Sequence, residues 1–491
     1  MTSYWMRTTA RGDHPALRED TTADVVVVGG GIAGLCTAWE LARAGRRVVL
    51  LEAGRIAEAS TGNTTAKVTA LHGAKYADLG DRAGLYAQSQ TDALARMSAA
   101  AGTLGVDCEW ETRDAYTYAV GDDAAQSLQR EARAAAEAGL PAEFVTTTPL
   151  PYPVAGAVRV SGQAQFHPRK FLLALTADLI RLGARVFEDS RVVEFAEGHV
   201  TVSSGAGVAA PDIVITTGFP VWDRPELFAR LTPKRELVVA AAIPASADPG
   251  GMFLGVDDDR SVRTAPYEGG QRLLIVTGET YKPGEAGVDE RYARLTDWMT
   301  THFPAASADF RWSAQDYTAT DGVPFVGPYP GHDHVWVATG FGAWGMTNAM
   351  MAGALLTARI TGDGQPPWAG LYDPRRLHPL KEAPSLARNA FTVTRNLVGE
   401  RIGSPDTTVD KLAPGQGAVV SVDGTRTAAF RDDDGELHLV SATCTHQGCV
   451  VGFNDAERTW DCPCHGSRFG VDGEVLQGPA ISALKPVTPK A

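Results

Sequence analysis

The chain has 491 residues, of which 44% are apolar and 21% are charged, and its formal net charge is −13. This length and composition predict a globular protein of two to four domains. The acidic balance argues against nucleic-acid binding, which requires basic patches, and no run of about 18 apolar residues predicts a membrane span.

The N-terminal segment 1–21 is predicted to be an extension ahead of the first domain. Its beginning has neither the apolar stretch of a signal peptide nor a twin arginine, so we expect a cytoplasmic protein. Structural disulfides are rare in the cytoplasm. The four cysteines that fall between positions 444 and 464 therefore indicate a metal site before a disulfide scaffold.

The first domain begins with a strand–helix–strand pattern that ends in an acid. Four consecutive valines, Val25–Val28, predict a strand buried on both faces. An apolar pattern with helical spacing follows, and a second strand, Val48–Leu51, ends at Glu52. A carboxylate at this position can hold the hydroxyl groups of a ribose.

A G-x-G-x-x-G motif joins the first strand to the helix. Gly29 is expected to make the tight turn, Gly31 to let the backbone approach a pyrophosphate, and Gly34 to let the helix pack on the strand. The helix N-terminus, which includes Ala33, offers amides and a positive dipole to phosphates. Because the strand, the helix, the second strand and the acid follow the motif in the expected order and spacing, we predict a dinucleotide site and not a chance glycine-rich turn.

The next segment bears on whether the dinucleotide is NAD or FAD. Residues 59–73, "ASTGNTTAKVTALHG", are small, polar and glycine-bearing, and they resemble the segment that runs along the flavin in the D-amino-acid oxidase/glycine oxidase superfamily. The resemblance continues in scattered pieces over roughly 20–370, through "SRVVEF", "DIVITTGFP", "TDGVPFVGPY" and "VWVATGFGAWGMTNAMMAGALLTARITG". It implies FAD, with these binding residues: Gly29, Gly31, Ala33, Gly34, Glu52, Thr61, Gly62, Thr65, Ala66, Val192, Thr217, Gly218, Gly340, Gly342, Trp344, Gly345, Met346 and Thr347.

The last of these pieces also carries its own structural pattern. Val335–Thr339 predicts a strand, a glycine-rich loop permits close backbone approach, and Met346–Ile360 predicts a helix whose N-terminus can face a reduced flavin. Met350 and Met351 are expected to fill the core. Trp344 can either flank the flavin ring or pack internally.

Two cysteine–histidine boxes lie near the end of the chain, Cys444-x-His446 and Cys462-x2-His465. Two thiolates and two imidazoles can hold zinc. Alternatively, the two cysteines of "CPC" can form a redox-active thiol pair. The sequences "CTHQGC" and "CPCHGS" are similar to the two cluster-binding motifs of the Rieske family. In a Rieske [2Fe–2S] centre, two thiolates hold one iron and two imidazoles hold the other, so the resemblance assigns those four residues as ligands.

The resemblance also gives roles to the neighbours of the four ligands. Cys449 and Cys464 match the pair that joins the two cluster loops by a disulfide in many members. Ser467 matches the residue whose hydroxyl bonds a bridging sulfide. Phe469 stands where members of high potential often have Tyr, so we expect a lower potential here. Short strands parted by Asp-Gly turns ahead of Cys444 predict an all-β module.

Together the resemblances imply a fold class and a division into domains. The fold is α/β, a Rossmann-type, glutathione-reductase-like FAD-binding domain with an antiparallel β substrate domain, followed by an all-β Rieske domain. The predicted divisions are 22–75, 150–220 and 320–365 for FAD binding, 76–149 and 221–319 for substrate, 366–404 for a linker that ends helix-like, and 405–491 for the Rieske domain.

The substrate residues follow from the superfamily's oxidation of C–N bonds in amines and amino acids, for which the neutral amine gives hydride to the flavin without a strong protein base. Arg263 is the candidate for binding a substrate anion, against the alternative of a surface salt bridge, and Tyr267 is its companion. Lys67 can touch the flavin or tune its reactivity. His72 is expected to be a satisfied structural histidine.

The combination predicts an oxidoreductase with FAD and a [2Fe–2S] cluster that oxidises a small organic substrate and passes electrons singly to an external acceptor, whether a protein, a quinone or oxygen. The alternatives are an electron-transfer reductase serving a separate oxygenase, for which we see no G-x-G-x-x-G beyond the two stretches already assigned to FAD, and a cluster kept for structure or redox sensing. A Rieske oxygenase would need a mononuclear iron held by two histidines and a carboxylate. His332, Asp333 and His334 have the right atoms, but they lie in a loop that leads into a predicted FAD-binding strand.

Overall fold

The computed structural model describes residues 1–222, 227, 229–305, 307–378, 382–383, 387 and 408–489. Its centre is a six-stranded sheet that is parallel except for one edge strand. In spatial order the strands are Phe325–Pro328 (the antiparallel edge), Val335–Thr339, Asp212–Ile215, Val25–Val28, Val48–Leu51 and Arg185–Phe187.

The two faces of this sheet are buried in different cores. Val25 and Val27 pack against helices, whereas Val26 and Val28 pack against a small four-stranded sheet, as expected for a strand covered on both sides. The helices of the first face are Ile32–Arg43, Ala83–Leu104, Pro168–Arg181 and Gly345–Thr361. The small sheet contains Thr21–Thr22, Gly207–Ala209, His199–Val202 and Val192–Ala196.

A second large sheet forms the predicted substrate domain. Its strands in spatial order are Phe310–Ala319, Leu231–Ile243, Arg272–Tyr281, Arg260–Pro266, Gly251–Gly255, Glu111–Ala119, Gly156–Gln165 and Lys67–Val68, and Ala142–Val145 pairs with Gly156–Gln165 off this path. All of its pairs are antiparallel except Gly251–Gly255 with Glu111–Ala119.

This sheet corrects one predicted boundary. The strand Gly156–Gln165 falls in the range 150–220, which we assigned to FAD binding, but it pairs with Glu111–Ala119 in the substrate sheet. Lys67–Val68, in the range 22–75, also joins this sheet through Gly156–Gln165. The flavin-side segment is therefore physically continuous with the substrate sheet, and a boundary near residue 166 describes the chain better.

The C-terminal module consists of two small antiparallel sheets, and the predicted all-β Rieske fold is confirmed here. One sheet contains Gly417–Val422, Thr425–Arg431 and Leu437–Ser441, and the other contains Gly452–Asn454, Thr459–Asp461, Arg468–Phe469 and Val475–Gln477. A cis peptide bond joins Gly478 to Pro479. The helix-like end predicted for the linker lies outside the described residues.

The predicted N-terminal extension packs onto the flavin-side segment. Trp5 is completely buried, and its indole N–H donates to the carbonyl oxygen of Thr64 at 2.6 Å. Within the described residues, the remaining α-helices are Tyr4–Arg7, Ala59–Gly62, Tyr76–Leu79, Asp122–Glu137 and Val288–His302, and the 3-10 turns are Gly80–Arg82, Ala245–Ala247, Glu268–Gly270, Ala369–Tyr372 and Val409–Lys411. No helix in the described ranges is long and apolar enough to cross a membrane.

Candidate active site

The glycine motif has the geometry of a dinucleotide turn. Gly29 has φ +111°, which only glycine adopts without strain. A Cβ on Gly34 would lie 1.8 Å from the carbonyl oxygen of Gly29, so the helix packs on the turn as closely as backbone allows. The carboxylate of Glu52 accepts hydrogen bonds from the backbone amides of Gly30 at 2.6 Å and Gly54 at 2.8 Å, while its burial raises its pKa.

A cavity of about 720 Å³ begins at this motif and runs into the substrate sheet. That volume is within the range of cofactor and ligand sites. Fifteen of the predicted site residues line it: Gly29, Gly31, Ala33, Glu52, Thr61, Thr65, Lys67, Val192, Thr217, Gly218, Gly340, Gly342, Trp344, Gly345 and Met346. Glycine-lined backbone on two sides, a helix N-terminus and a buried acid fit a bound FAD.

Four predicted cofactor residues lie behind the cavity wall and not on it. Gly34 packs against Gly29, and a Cβ on Gly62 would meet the carbonyl oxygen of Ala57 at 2.9 Å. Ala66 has φ +57° and is buried. Thr347 is also buried, and its hydroxyl lies 3.1 Å from His72 Nε2.

His72 lies among these residues behind the cavity wall, and both of its ring nitrogens have hydrogen-bond partners. Its Nδ1 lies 2.6 Å from the Tyr86 hydroxyl, and its Nε2 lies 2.8 Å from the carbonyl oxygen of Thr69. Burial holds its pKa well below the usual value. The indole of Trp344 stacks on the imidazole at 4.6 Å, so Trp344 both packs internally and lines the cavity.

The wall formed by the substrate sheet is strongly charged. Lys67 is within hydrogen-bond reach of Ser261, and burial together with the charge of Arg263 lowers its pKa to about 7. Lys234 and Glu236 form an ion pair at 2.6 Å. The sequence patterns missed both of these residues, because alternation along a strand shows its two faces but not which face borders a cavity.

Asp316 is a second carboxylate that the sequence analysis missed. It lines the cavity, accepts hydrogen bonds from the backbone amides of Tyr317 (2.7 Å) and Ala343, and lies cross-strand from Lys234. Burial raises its pKa to about 6. The cavity therefore offers groups of both signs to a small polar substrate.

The structure does not bring Arg263 or Tyr267 to the cavity. The guanidinium of Arg263 is buried and donates to the carbonyl oxygens of Thr65 at 2.7 Å and Ala66 at 2.9 Å. It braces the flavin-side segment and is neither a cavity cation nor the surface salt bridge of the alternative. Tyr267 packs against Tyr4, with ring centroids 5.9 Å apart.

The two cysteine–histidine boxes meet in the C-terminal domain. Cys449 and Cys464 form a disulfide, which leaves Cys444 and Cys462 as buried free thiols. The Sγ atoms of Cys449, Cys462 and Cys464 lie within 4.8 Å of one another, but the disulfide occupies two of them.

Two imidazoles complete the donor set. The ring centroids of His446 and His465 are 4.9 Å apart, with the rings perpendicular. Two thiols and two imidazoles gathered in this way fit a Rieske cluster. Phe469 is completely buried in the same apolar cluster as the four cysteines, and Ser467 accepts a hydrogen bond from the backbone amide of Ala480 at 3.0 Å.

The cluster domain is docked against the wall of the cavity. The ring of Phe219 lies 5.3 Å from that of His465, 6.0 Å from that of His446 and 5.5 Å from that of Tyr317, which lines the cavity. The side-chain amide of Gln315 donates to the Tyr317 hydroxyl and to the carbonyl oxygen of Gly466, both at 2.7 Å.

A buried ion pair holds the same interface. Arg235, 1% exposed, pairs with Glu457 at 2.7 Å, and Ser313 and Arg468 also contact that carboxylate. Burial alone would raise the pKa of Glu457, but Arg468 and Arg235 lower it to about 2. The side-chain amide of Asn454 adds a long hydrogen bond to the Tyr281 hydroxyl at 3.4 Å.

Fold and site together define a FAD-dependent oxidoreductase that carries a Rieske [2Fe–2S] domain. The family model "FAD dependent oxidoreductase" (DAO) matches residues 24–359, and the model "Rieske [2Fe-2S] domain" matches residues 404–488. The chain belongs to the DAO family of FAD-dependent oxidoreductases, with a C-terminal Rieske domain.

Similar proteins agree with both halves of the chain. The "Putative Rieske 2Fe-2S iron-sulfur protein YhfW" of Bacillus subtilis is 34% identical over 99% of this chain and 97% of its own length. Glycine oxidase from Geobacillus kaustophilus has a similar fold, with a TM-score of 0.60 at 18% identity over 73% of this chain and 100% of its own. L-proline dehydrogenase from P. horikoshii has a TM-score of 0.61 at 18% identity over 73% and 98%.

Proposed function

We propose that the protein oxidises a small amine or amino acid at a C–N bond and delivers the electrons, one at a time, through its cluster domain to an external acceptor. The observation that carries this proposal is the position of Phe219, whose ring contacts both cluster-box histidines and Tyr317 of the cavity wall. When bound, FAD takes a hydride and returns single electrons, and a Rieske cluster carries one electron at a time.

The residues between the two centres support a short and fixed route. Tyr317 and Gln315 border the cavity on one side, and Gln315 reaches Gly466 of the second cluster box on the other. His465 is 2% exposed, whereas His446 is partly exposed. This difference supports entry of electrons on the side of Phe219 and exit toward a partner at the edge of His446.

The charged wall supports an amine or amino-acid substrate. Asp316 and Glu236 can attract an ammonium group, and Lys67 can bind a carboxylate when charged or accept a proton when neutral. The relatives named glycine oxidase and L-proline dehydrogenase favour the same class by their names. Lys67 is our candidate to touch the substrate or the reactive end of the cofactor.

His332 and His334 do not support the alternative of a Rieske oxygenase. The imidazole of His332 lies 3.0 Å from the carboxylate of Glu197, and that of His334 lies 3.2 Å from the carboxylate of Asp212. Each histidine is thus engaged with a different carboxylate, at the end of a hairpin that leads into the six-stranded sheet.

The test is anaerobic mixing of the holoprotein with a panel of amines and amino acids, following flavin absorbance and the Rieske EPR signal together. We expect the substrate to bleach the flavin and the cluster signal to follow. Flavin reduction without any cluster reduction would contradict the relay. Rapid reduction of both centres by NADPH alone would favour the reductase alternative.

A His465→Ala variant separates the two steps. Loss of an imidazole ligand is expected to abolish the Rieske signal, while FAD stays bound and is still reduced by the substrate. If this variant still transferred electrons to an artificial one-electron acceptor as quickly as the wild type, the electrons would leave without the cluster.

A further inference from the structure

The FAD cavity is walled in part by the cluster domain. Besides residues of the FAD-binding and substrate sheets, its lining contains Val475, Leu476, Gln477, Gly478 and Ile481, and also Arg468. Most of these residues belong to the strand Val475–Gln477 and the turn that follows it, beyond the last cluster ligand.

These residues stand at the dinucleotide end of the cavity. Arg191 directly precedes Val192, in the segment "SRVVEF" that resembles the superfamily's strand in contact with the adenine, and it lines the cavity together with Glu52, the acid at the ribose position. The guanidinium of Arg191 donates to the backbone carbonyl oxygen of Val475 at 3.1 Å, which joins the two domains at this point.

A second contact between the cluster domain and the cavity wall is made by Gly478, three residues after Val475. An ideal Cβ built on Gly478 would be 3.6 Å from Cγ1 of Val221, which also lines the cavity. Leu476 is 49% exposed, unusually high for a large apolar side chain at an interface between domains. A ligand bound in the cavity would cover it.

We propose that the strand and turn Val475–Gly478 of the cluster domain form the outer wall of the FAD adenosine site, so that docking of this domain retains the cofactor. The Arg191–Val475 hydrogen bond closes the wall, and Leu476 offers it an apolar surface. The cluster domain then has two tasks, since it also carries the cluster. The inference uses the FAD assignment and not the route of the electrons, so it stands or falls independently of the relay.

Two variants test the wall in the full-length holoprotein. Arg191→Met removes the closing hydrogen bond, and Leu476→Glu places a carboxylate in the wall of a site for an anionic dinucleotide. Arg191→Met is expected to release FAD about tenfold faster, the effect of one lost hydrogen bond to a charged group. Leu476→Glu is also expected to release FAD faster, because its carboxylate repels the negatively charged phosphates of the cofactor. Release is followed by the rise of free-FAD fluorescence after dilution.

Leu85→Glu is the matched control, because Leu85 is 37% exposed on the helix Ala83–Leu104 and does not line the cavity. It should release FAD at the wild-type rate. The Rieske EPR signal of all three variants reports whether the cluster domain is intact. Wild-type release rates in both Arg191→Met and Leu476→Glu would overturn the proposal.

Hydrogen–deuterium exchange on the wild-type protein gives a second test that needs no variant. Removal of FAD should speed amide exchange in the segment 475–481 and leave the strand Thr425–Arg431, which does not line the cavity, unchanged. Equal exchange of the segment 475–481 with and without FAD would overturn the proposal even if the variants misfold.

Discussion

At the scale of single residues, Lys67 and Asp316 have unusual ionisation for the same reason. Both are partly buried in the cavity wall, and burial disfavours the charged form of each. The pKa of the Lys67 ammonium is lowered to about 7, and that of the Asp316 carboxyl is raised to about 6. Perturbed groups of this kind cluster at functional sites.

The ionisation of Lys67 can be measured without knowing the substrate. Only the neutral amine is acylated, so the labelling rate of Lys67 by acetic anhydride should reach half of its maximum near pH 7. Labelling of the exposed Lys485 is the reference within the same molecule. Mass spectrometry of the apoprotein across pH 6 to about 11 covers both the shifted and the ordinary lysine range.

Burial is the main cause of the lowered pKa of Lys67. Burial and the nearby guanidinium of Arg263 both favour loss of the proton, so Lys67 is charged below about pH 7 and neutral above it. If the labelling of Lys67 followed the same pH curve as that of Lys485, this ionisation would be wrong, and with it the acid–base part of the proposed substrate site.

The second prediction for a single residue concerns the influence of Phe469 on the midpoint potential of the cluster. A Tyr hydroxyl at this buried position would give the cluster region one more hydrogen-bond donor, which stabilises the reduced, more negative state. Phe469→Tyr is therefore expected to raise the midpoint potential by roughly 60 mV, the equivalent of about 1.4 kcal/mol for one electron. EPR-monitored redox titration measures the change.

Phe453→Tyr is the matched control for this substitution. Phe453 lies in the same domain but packs against Trp460 with ring centroids 5.0 Å apart, and it is only partly buried. Its variant should keep the wild-type potential. An unchanged potential in Phe469→Tyr would show that position 469 does not tune this cluster.

At the scale of elements, the strand pair Leu231–Ile243 and Phe310–Ala319 is a wall with two functional faces. Side chains alternate across a strand, so Lys234 and Asp316 stand on one face and Arg235 and Gln315 on the other. Residues of both faces line the cavity, and the second face also binds the cluster domain through Arg235 and Gln315. Two strands thus place substrate groups and docking groups within one residue of each other.

The ring of Phe219 connects this wall to His446 and His465 of the cluster domain, and its replacement is the change tested at the scale of elements. Phe219→Leu removes the ring that fills the space between Tyr317 and His465. After anaerobic photoreduction of the flavin, reduction of the cluster should be slower in this variant, while the rate of flavin photoreduction stays unchanged. The two signals are followed by absorbance and freeze-quench EPR.

Phe310→Leu makes the same change at the start of the strand Phe310–Ala319. Phe310 packs against Tyr4 with ring centroids 5.5 Å apart, away from the cluster domain. Its variant is expected to reduce the cluster at the wild-type rate. Equal rates in Phe219→Leu and the wild type would contradict a route through this ring.

At the scale of the whole molecule, the sequence predicted what is encoded locally. The glycine turn, the acid at Glu52 and the Cys–His boxes each lie within a short stretch, because a phosphate turn or a cluster loop requires fixed residue types at fixed spacing. The parallel strands are likewise visible as continuous apolar runs. The strand Val335–Thr339 was also predicted, and it is confirmed.

What could not be predicted depends on contacts between distant segments. Arg263 looked like a substrate cation, but the turn that it braces lies about two hundred residues earlier in the chain. The roles of Gln315 and Phe219 could not be predicted because both residues act through contacts with the docked cluster domain. No local sequence pattern encodes the position of that domain. The strand Gly156–Gln165 pairs across the assumed boundary because sheet pairing is not local either.

The buried charge pair Arg235–Glu457 contributes to docking of the cluster domain, and its loss is the change tested at the scale of the whole molecule. Arg235→Met leaves Glu457 with Ser313 and Arg468 but removes a partner that is 1% exposed. Loss of one member of a buried pair costs about 3–5 kcal/mol where the remaining charge is left unpaired, and Arg468 reduces that cost here. We expect the domains to separate more readily while each keeps its own fold.

Hydrogen–deuterium exchange can detect this separation. In Arg235→Met, the strand Gly452–Asn454 should exchange faster, because Gly452 lies against Gly284 of the substrate domain and loses that cover. Arg311→Met is the control, since Arg311 is an exposed residue of the same strand pair whose ion pair with Asp289 is also exposed. If exchange at 452–454 were the same in both variants, the Arg235–Glu457 pair would not be what holds the cluster domain against the flavin cavity.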